Sequence, residues 1–336
     1  MTPGVATFGT TQSGQSVRRI AIASDQLSAS ILTYGAALQD VRLRGTAHSL
    51  TVGSPDLRAY EGPMQYCGTI VGPVANRIGD ARADIDGQTC HFDQNLGNHI
   101  LHGGSAGTHA KIWTLTDHSP THASLTLDLP YGQGGFPGNR QITARYDITA
   151  TTLRLTLTAT TDAATLMNLA NHSFWRLDDA PTYSGHSLQI FADHYLPSAP
   201  SDNLPTGTIS PVANTHLDFR QPRALTPKTD APLDTNFCLS NSRQPLRQVA
   251  RLTGTSGLKM DMATTEPGLQ VFDGHILNLP YYPSNDGPPH RAYAGLALEA
   301  QFWPDAPNNP GFPEILLHPG DDWQQVTSWT FTTPRC

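Results

Sequence analysis

The chain has 336 residues, of which only 15% are charged, with a net charge of −7 and no basic patch or run of like charges. A nucleic acid or an anionic membrane surface is therefore a poor partner, whereas a neutral polar ligand fits. The four cysteines, Cys67, Cys90, Cys238 and Cys336, are widely spaced without a C-x-x-C pair, so we expect free thiols. Neither a signal-peptide pattern nor a stretch of transmembrane length is visible, so we expect a cytoplasmic protein without membrane contact.

Gly and Pro, at 29 and 27 residues, interrupt many short runs that alternate with the period of a strand. The predicted strands are 18–24, 30–34 with a continuation to 43, a hairpin over 83–92, 111–116, 123–129, 140–149, 152–160, 165–177, 187–195, 249–262, 268–272, 294–301 and 324–332. No segment keeps a helical period over three turns, so the pattern favours an all-β sandwich or barrel. Because no linker, low-complexity tract or internal repeat is visible, we predict one domain over residues 1–336.

The segment 294–313 begins as a strand and ends in a loop rich in Pro and Asn. Leu296 and Leu298 share one face of this strand, while Ala297, Glu299 and Gln301 share the other. The small residues leave space beside Glu299, which a packed core strand would fill. A carboxylate at a strand end beside such space is a candidate general base; the alternative is a surface glutamate on an edge strand.

A second alternating stretch, 168–175, contains a candidate acid. Asn168, Ala170 and His172 share a face, so this histidine also lies beside a small and a polar residue. Histidine is the side chain best suited to move a proton near neutral pH. The alternative is a core or surface histidine whose hydrogen bonds are made to the backbone.

His102 is followed by two glycines, which allow the backbone to approach a ligand closely, although a plain loop with an exposed imidazole explains the pattern equally well. The spacing of His91, His99 and His102 matches no metal-ligand template, so we predict no metal. A Gly-x-Gly at 132–134 lies among prolines without a following helix, which argues against a dinucleotide cofactor.

Four further polar residues are candidates for contacts to a sugar. Asn76 and Arg77 end a Gly/Ala-rich segment, Asp234 lies in a Pro-flanked loop, and Gln270 shares a strand face with Phe272. Sugar hydroxyls require paired donors and acceptors, and the apolar face of the ring stacks on an aromatic side chain. Each residue alone could equally make a structural hydrogen bond.

In their order along the chain, these stretches resemble the galactose mutarotase (aldose 1-epimerase) family. The matching motifs are Tyr-Gly-Ala at 34–36, Ala-Asn-Arg-Ile at 75–78, Leu-His-Gly-Gly at 101–104, Gly-Phe-Pro-Gly-Asn at 135–139, Asn-His-Ser at 171–173, Pro-Thr-Gly at 205–207, Leu-Asp-Thr-Asn-Phe at 233–237, Glu-Pro-Gly-Leu-Gln at 266–270, Leu-Glu-x-Gln at 298–301 and Pro-Asp-Ala-Pro-Asn at 304–308. Each motif is weak alone, but in this order they extend along nearly the whole chain.

The resemblance implies a β-supersandwich of mostly antiparallel strands with a monosaccharide in an open cleft. It implies interconversion of the α and β anomers of free aldoses such as galactose and glucose, without a cofactor. Glu299 aligns with the family's general base and His172 with its general acid. The residues that align with substrate contacts are Asn76, Arg77, His102, Asp234 and Gln270.

The implied mechanism requires an ionised Glu299 and a protonated His172. We expect a neighbouring carboxylate, Asp234, to raise the pKa of His172. Three departures from the family pattern, at Thr235, Gly72-Pro73 and 174–176, lie near the expected cleft rim. The preferred aldose therefore stays open, as does the choice between a monomer and a homodimer.

Three other functions are compatible with parts of this pattern. A glycoside hydrolase could use Glu299 and Asp234 as paired carboxylates. A non-catalytic sugar-binding protein would not need both Glu299 and His172. A relative acting on hexose 6-phosphates would need several basic residues beside the cleft, and no such cluster is visible in a chain whose only lysines are at positions 111, 228 and 259.

Overall fold

The computed structural model describes residues 2–334, so the prediction of a free thiol at Cys336 lies outside the described residues. The strands from the amino terminus to the middle of the chain are β1 (Gly4–Thr10), β2 (Ser16–Ala23), β3 (Leu27–Leu32), β4 (Leu38–Leu43), β5 (Ile70–Val71), β6 (Arg77–Ile78), β7 (Arg82–Ile85), β8 (Gln88–His91), β9 (Ile100–Leu101), β10 (Thr114–His118), β11 (His122–Leu129), β12 (Arg140–Thr149), β13 (Thr152–Thr161), β14 (Thr165–Leu166), β15 (Ala170–Asn171) and β16 (Phe174–Trp175). The remaining strands are β17 (Ser187–Ile190), β18 (His194–Leu196), β19 (Ser210–Pro211), β20 (Arg223–Ala224), β21 (Asp234–Cys238), β22 (Arg247–Thr253), β23 (Lys259–Thr264), β24 (Gly268–Phe272), β25 (Leu296–Gln301), β26 (Leu316–Leu317) and β27 (Trp323–Thr332). Helical structure in the described residues is limited to α1 (Leu57–Tyr60) and the 3₁₀ turns Gly79–Ala81, Gly104–Ala106, Thr108–Ala110, Gln133–Gly135 and Ala306–Asn308.

Three sheets form the body of the structure. A nine-stranded sheet has the order β10-β11-β12-β13-β27-β23-β22-β17-β20, a six-stranded sheet has the order β16-β25-β24-β21-β18-β19, and a four-stranded sheet has the order β1-β2-β3-β4. All of their paired strands are antiparallel. The prediction of an all-β, mostly antiparallel fold is confirmed.

Strand alternation explains how the nine-stranded sheet packs. In β12, Ile142 and Tyr146 are buried while Gln141 is exposed, and in β13 Leu155 is buried beside Tyr146. These apolar side chains join one large core cluster with apolar residues of the six-stranded sheet, including Leu298. Sheets that pack through alternating inward residues form a sandwich. Here the nine-stranded sheet packs against one face of the six-stranded sheet.

Several predicted strand boundaries are wrong. The segment 165–177 forms three two-residue strands, because successive backbone groups pair with different partners: the N–H of Met167 donates to Ile315 and that of His172 to Thr69. The segment 249–262 is a hairpin of β22 and β23, which turns at Gly254 and Gly257 (φ +84°). The segment 187–195 divides between β17 and β18. Among the strands longer than two residues, two were missed: β1, an exposed edge strand without clear alternation, and β21, which was predicted as a loop. The two-residue strands β9, β19, β20 and β26 were also missed.

Candidate active site

Three neighbouring strands bring a set of polar side chains together. Glu299 on β25 lies opposite Gln270 on β24, and Gln270 lies opposite Asn236 on β21. Asp234, at the first position of β21, accepts a hydrogen bond from Gln270 Nε2 at 2.6 Å. Since Leu298 on β25 packs into the core, the alternation of the strand directs Glu299 to the opposite face. Glu299 is only 2% exposed, and its Oε2 has no hydrogen-bond partner in the described part of the chain.

His172 lies against Glu299 from the neighbouring segment. Its Nε2 is 3.6 Å from Glu299 Oε1, and the side chain is 8% exposed. The backbone is fixed on both sides, because the N–H of His172 donates to Thr69 and its carbonyl accepts from Gly68, both at 2.9 Å. The other ring nitrogen, Nδ1, is buried and has no partner among residues 2–334. The pair that the sequence selected as base and acid is therefore in contact.

Asn76, Arg77 and His102 form an interlocked group at the same cleft. The N–H of Asn76 donates to His102 Nδ1 at 3.1 Å, and the N–H of His102 donates to the carbonyl of Asn76 at 2.9 Å. Asn76 (φ 62°) and His102 (φ 51°) both have left-handed backbone conformations, which the pairing of β6 with β9 holds in place. Arg77 extends from Asn76 Oδ1 (3.3 Å from Nη1) to Asp234 Oδ2 (3.6 Å from Nη2). All seven predicted site residues thus lie in one connected cluster.

Aromatic rings line this cluster. The Tyr66 ring lies 4.7 Å from the rings of His102 and His109 and stacks at 6.0 Å on His172. The ring of Phe174 lies 5.1 Å from the ring of His172. Phe174 in turn meets Phe272 edge-on at 6.0 Å.

Three residues at the site were not identified from sequence. Tyr66 lies in a run of turns and His109 in a 3₁₀ turn, so neither belongs to an alternating segment that a strand pattern could reveal. Asn168 was noticed only as a neighbour of His172, but its side chain accepts from the N–H of Phe302 at 2.9 Å and donates to the carbonyl of Phe302 at 3.4 Å. It therefore fixes the end of the strand that carries Glu299.

Burial moves both members of the central pair toward their neutral forms. It raises the pKa of Glu299 well above the usual range, the charge of Asp234 adds to the rise, and Arg77 opposes it. Burial lowers the pKa of His172 to about 4; a backbone hydrogen bond opposes the fall and His109 adds to it. The expectation that the neighbouring carboxylate Asp234 raises the pKa of His172 is therefore wrong, because desolvation by burial is the largest influence on this pKa and lowers it.

The cleft has the chemistry of a site for a neutral polyol that undergoes proton transfer. A titratable pair shares a buried position, and a guanidinium, two amides and a carboxylate surround it beside aromatic rings. No group of three or more His, Cys, Asp or Glu side chains within residues 2–334 is placed to hold a metal ion. The described helices include none that is long and apolar enough to cross a membrane.

Comparison with known proteins identifies close relatives of this chain. A family model described as aldose 1-epimerase matches residues 18–330. The chain is 33% identical over 328 residues to a galactose mutarotase of Rattus norvegicus, covering 95% of each chain, and 29% identical over 317 residues to an aldose 1-epimerase of Escherichia coli (strain K12), covering 90% of this chain and 91% of the relative. Among solved structures, a GalM/aldose epimerase homologue from C. elegans superposes with a TM-score of 0.87 at 29% identity, covering 94% of this chain and 99% of that one.

Proposed function

This chain belongs to the aldose 1-epimerase family, and from that premise we propose that Glu299 and His172 are the acid–base pair of its reaction. The protein is a mutarotase that interconverts the α and β anomers of free aldoses. Neither a non-catalytic sugar-binding role nor a glycoside hydrolase is favoured. The observation that carries the assignment is the 3.6 Å approach of His172 Nε2 to Glu299 Oε1 in a buried cleft.

The reaction moves two protons and leaves no net change on the enzyme. Glu299 removes the proton of the anomeric hydroxyl while His172 donates a proton to the ring oxygen, so the C1–O5 bond breaks and an open-chain aldehyde forms. Rotation about C1–C2 presents the other face of the carbonyl. Reclosure returns a proton from Glu299 to O1 and a proton from O5 to His172.

The shifted pKa values define what sugar binding must do. Between the two pKa values the pair holds one proton, and burial places this proton on Glu299 in the free site. Sugar hydroxyls that donate to the carboxylate favour its ionised form, as Arg77 does. The proton then resides on His172, and this transfer leaves the total charge of the buried pair unchanged.

The remaining polar residues position the sugar. Asn76, Arg77, His102, Asp234 and Gln270 supply donors and acceptors to its hydroxyls, and Phe272 and Phe174 supply an apolar wall for the ring. Galactose and glucose are the proposed substrates, since relatives carry the name galactose mutarotase. For the protein as a whole we propose one domain over residues 1–336, a monomer or homodimer, and a cytoplasmic location, which the free thiols of Cys67, Cys90 and Cys238 support.

Polarimetry tests this function directly. Freshly dissolved α-D-galactose and α-D-glucose should reach their equilibrium rotation faster with the purified protein than in buffer, and the same assay with pentoses would rank the substrates. A disaccharide incubated with the protein should release no new reducing ends. Release of reducing ends without faster mutarotation would replace the proposal by a hydrolase.

A further inference from the structure

A second cavity, outside the candidate active site, is lined by four cationic side chains. It has a volume of about 1520 Å³ and lies between the segments 176–182 and 275–292. None of the seven predicted site residues lines it. We call it the basic cavity and define it by its four cationic residues, Arg42, Arg176, Lys228 and Arg291. Its volume is sufficient for a complete small molecule, since ligand pockets typically enclose about 300–1,000 Å³.

The charge of the basic cavity is opposite to that of the protein. Four arginine or lysine residues line it against Asp179 and Asp286, and Asp40 pairs with Arg42 at 2.8 Å, which leaves an excess of one positive charge. The chain as a whole has a net charge of −7. A local excess of positive charge on an acidic protein concentrates anions at that place. The sequence does not reveal this cluster, because its four members lie far apart along the chain and a count of lysines misses its three arginines.

The acidic residues hold this arrangement together without neutralising it. Asp286 accepts from Arg42 Nη2 at 3.0 Å, from the N–H of Ser49 at 3.0 Å, and lies 3.3 Å from Arg176 Nη1. Asp179 is 3.8 Å from Arg176 and its side chain is mostly exposed. Asp286 therefore fixes Arg42 and Arg176 as parts of one wall and has little capacity left for other cations.

The cavity retains donors that have no acceptor. Arg176 is 8% exposed, and its Nε is buried without a hydrogen-bond partner in the described residues. His48 presents a similarly unpartnered Nε2. Lys228 and Arg291 are exposed and form no ion pair with any residue in the range 2–334, so both are accessible to a ligand. A buried donor without an acceptor is costly, and guanidinium groups are satisfied best by the oxygens of phosphate or carboxylate groups.

We propose that the basic cavity binds a small phosphorylated metabolite. The phosphoryl oxygens accept hydrogen bonds from Arg291 and Lys228, the charge of Arg176 in the cavity wall adds to the attraction, and the rest of the ligand occupies the remaining volume. The site is adjacent to the sugar cleft, because the ring of His275 on the cavity wall lies 5.3 Å from the ring of Phe272. It is nevertheless a separate site, and the proposal does not depend on the mutarotase reaction.

Calorimetric titration with inorganic pyrophosphate and with glucose 6-phosphate tests this proposal. The titrations are run at constant ionic strength, with and without saturating galactose, on the wild type and two double variants. Arg291→Gln with Lys228→Gln removes the two unpaired cations of the cavity. Arg154→Gln with Lys259→Gln is the matched control, because it removes the same charge from exposed positions on the nine-stranded sheet.

The wild type and the control should bind both probes with the same affinity, unaffected by galactose. The cavity variant should bind at least about tenfold more weakly, as expected for the loss of two charge-assisted hydrogen bonds. Three results would overturn the proposal: no heat of binding in the wild type, equal weakening in both double variants, which indicates non-specific charge attraction, or competition by galactose, which places the probes in the sugar cleft.

Discussion

The nine-stranded sheet and the candidate active site use buried strands in opposite ways. On β12, every second residue faces water, and exposed polar side chains find partners, as Gln141 does with Asp128 at 2.9 Å. On β25, all six residues are buried, including Glu299 and Gln301, and polar atoms of both lack partners in the described structure. Unsatisfied buried polar groups cost stability. The comparison indicates that the large sheet stabilises the fold, while the active-site strand keeps its polar groups free for a ligand.

The largest expected effect separates two buried glutamates that differ in this respect. Glu299 has an unpaired oxygen in the cleft, whereas Glu266 is held by Arg243 Nε at 2.7 Å and Nη2 at 3.1 Å. Glu299→Gln should lower kcat about 10²–10⁴-fold, because it removes the base. Its melting temperature should not fall, because burial keeps Glu299 neutral in the free site and the amide is neutral as well. Polarimetric kinetics and thermal denaturation measure the two effects.

Glu266→Gln is the matched control for that variant. It should retain the wild-type kcat and lose about 1–3 kcal/mol of unfolding free energy, because the charge-assisted pair with Arg243 is weakened. A full kcat in Glu299→Gln would contradict the role of Glu299 as the base. A loss of kcat in Glu266→Gln as large as in Glu299→Gln would show that the effect is common to buried glutamates and not specific to the active site.

In the nine-stranded sheet, we expect a substitution to lower the stability of the fold and to leave kcat nearly unchanged. Leu155 on β13 is 2% exposed within the main core cluster, so Leu155→Ala should lower the free energy of unfolding by about 2–5 kcal/mol. The kcat of the folded fraction should stay within about twofold of the wild type, since no catalytic group is moved. Urea denaturation and polarimetry provide the measurements. An unchanged unfolding free energy would contradict the stabilising role of this sheet.

The same contrast explains what could be predicted from sequence. The strands 140–149 and 152–160 were predicted nearly to the residue, because hairpin strands with one wet face alternate clearly. The segment 165–177 was not, because its residues pair with distant segments that no local pattern reveals. Glu299 and His172 were candidates because of their places on alternating strands beside small residues, and the family resemblance assigned their roles. Tyr66 and the four members of the basic cavity were missed, because only the folded chain brings them together.

The smallest expected effect, about tenfold per pH unit, is a pH dependence of the rate that arises from the Glu299–His172 pair. The pair Glu299–His172 is active only while it holds one proton. Burial sets the pKa of His172 to about 4, so the rate should fall as the pH drops through about 4, because both groups are then protonated and no base remains. Burial raises the pKa of Glu299, so the rate should also fall at high pH, when the last proton is lost and no acid remains. Each limb should change kcat/KM by about tenfold per pH unit, with apparent values that belong to the coupled pair.

The residual activity of Glu299→Gln distinguishes this origin of the profile from a general loss of folding. With the amide in place, no base titrates and the residual activity requires the protonated form of His172, so the acid limb should disappear and the rate should decline as the pH rises above about 4. Leu155→Ala should keep both limbs, because it changes stability without changing the pair. An alkaline limb that persists unchanged in Glu299→Gln would assign the titrating proton to another group and leave the buried carboxylate without its proposed role.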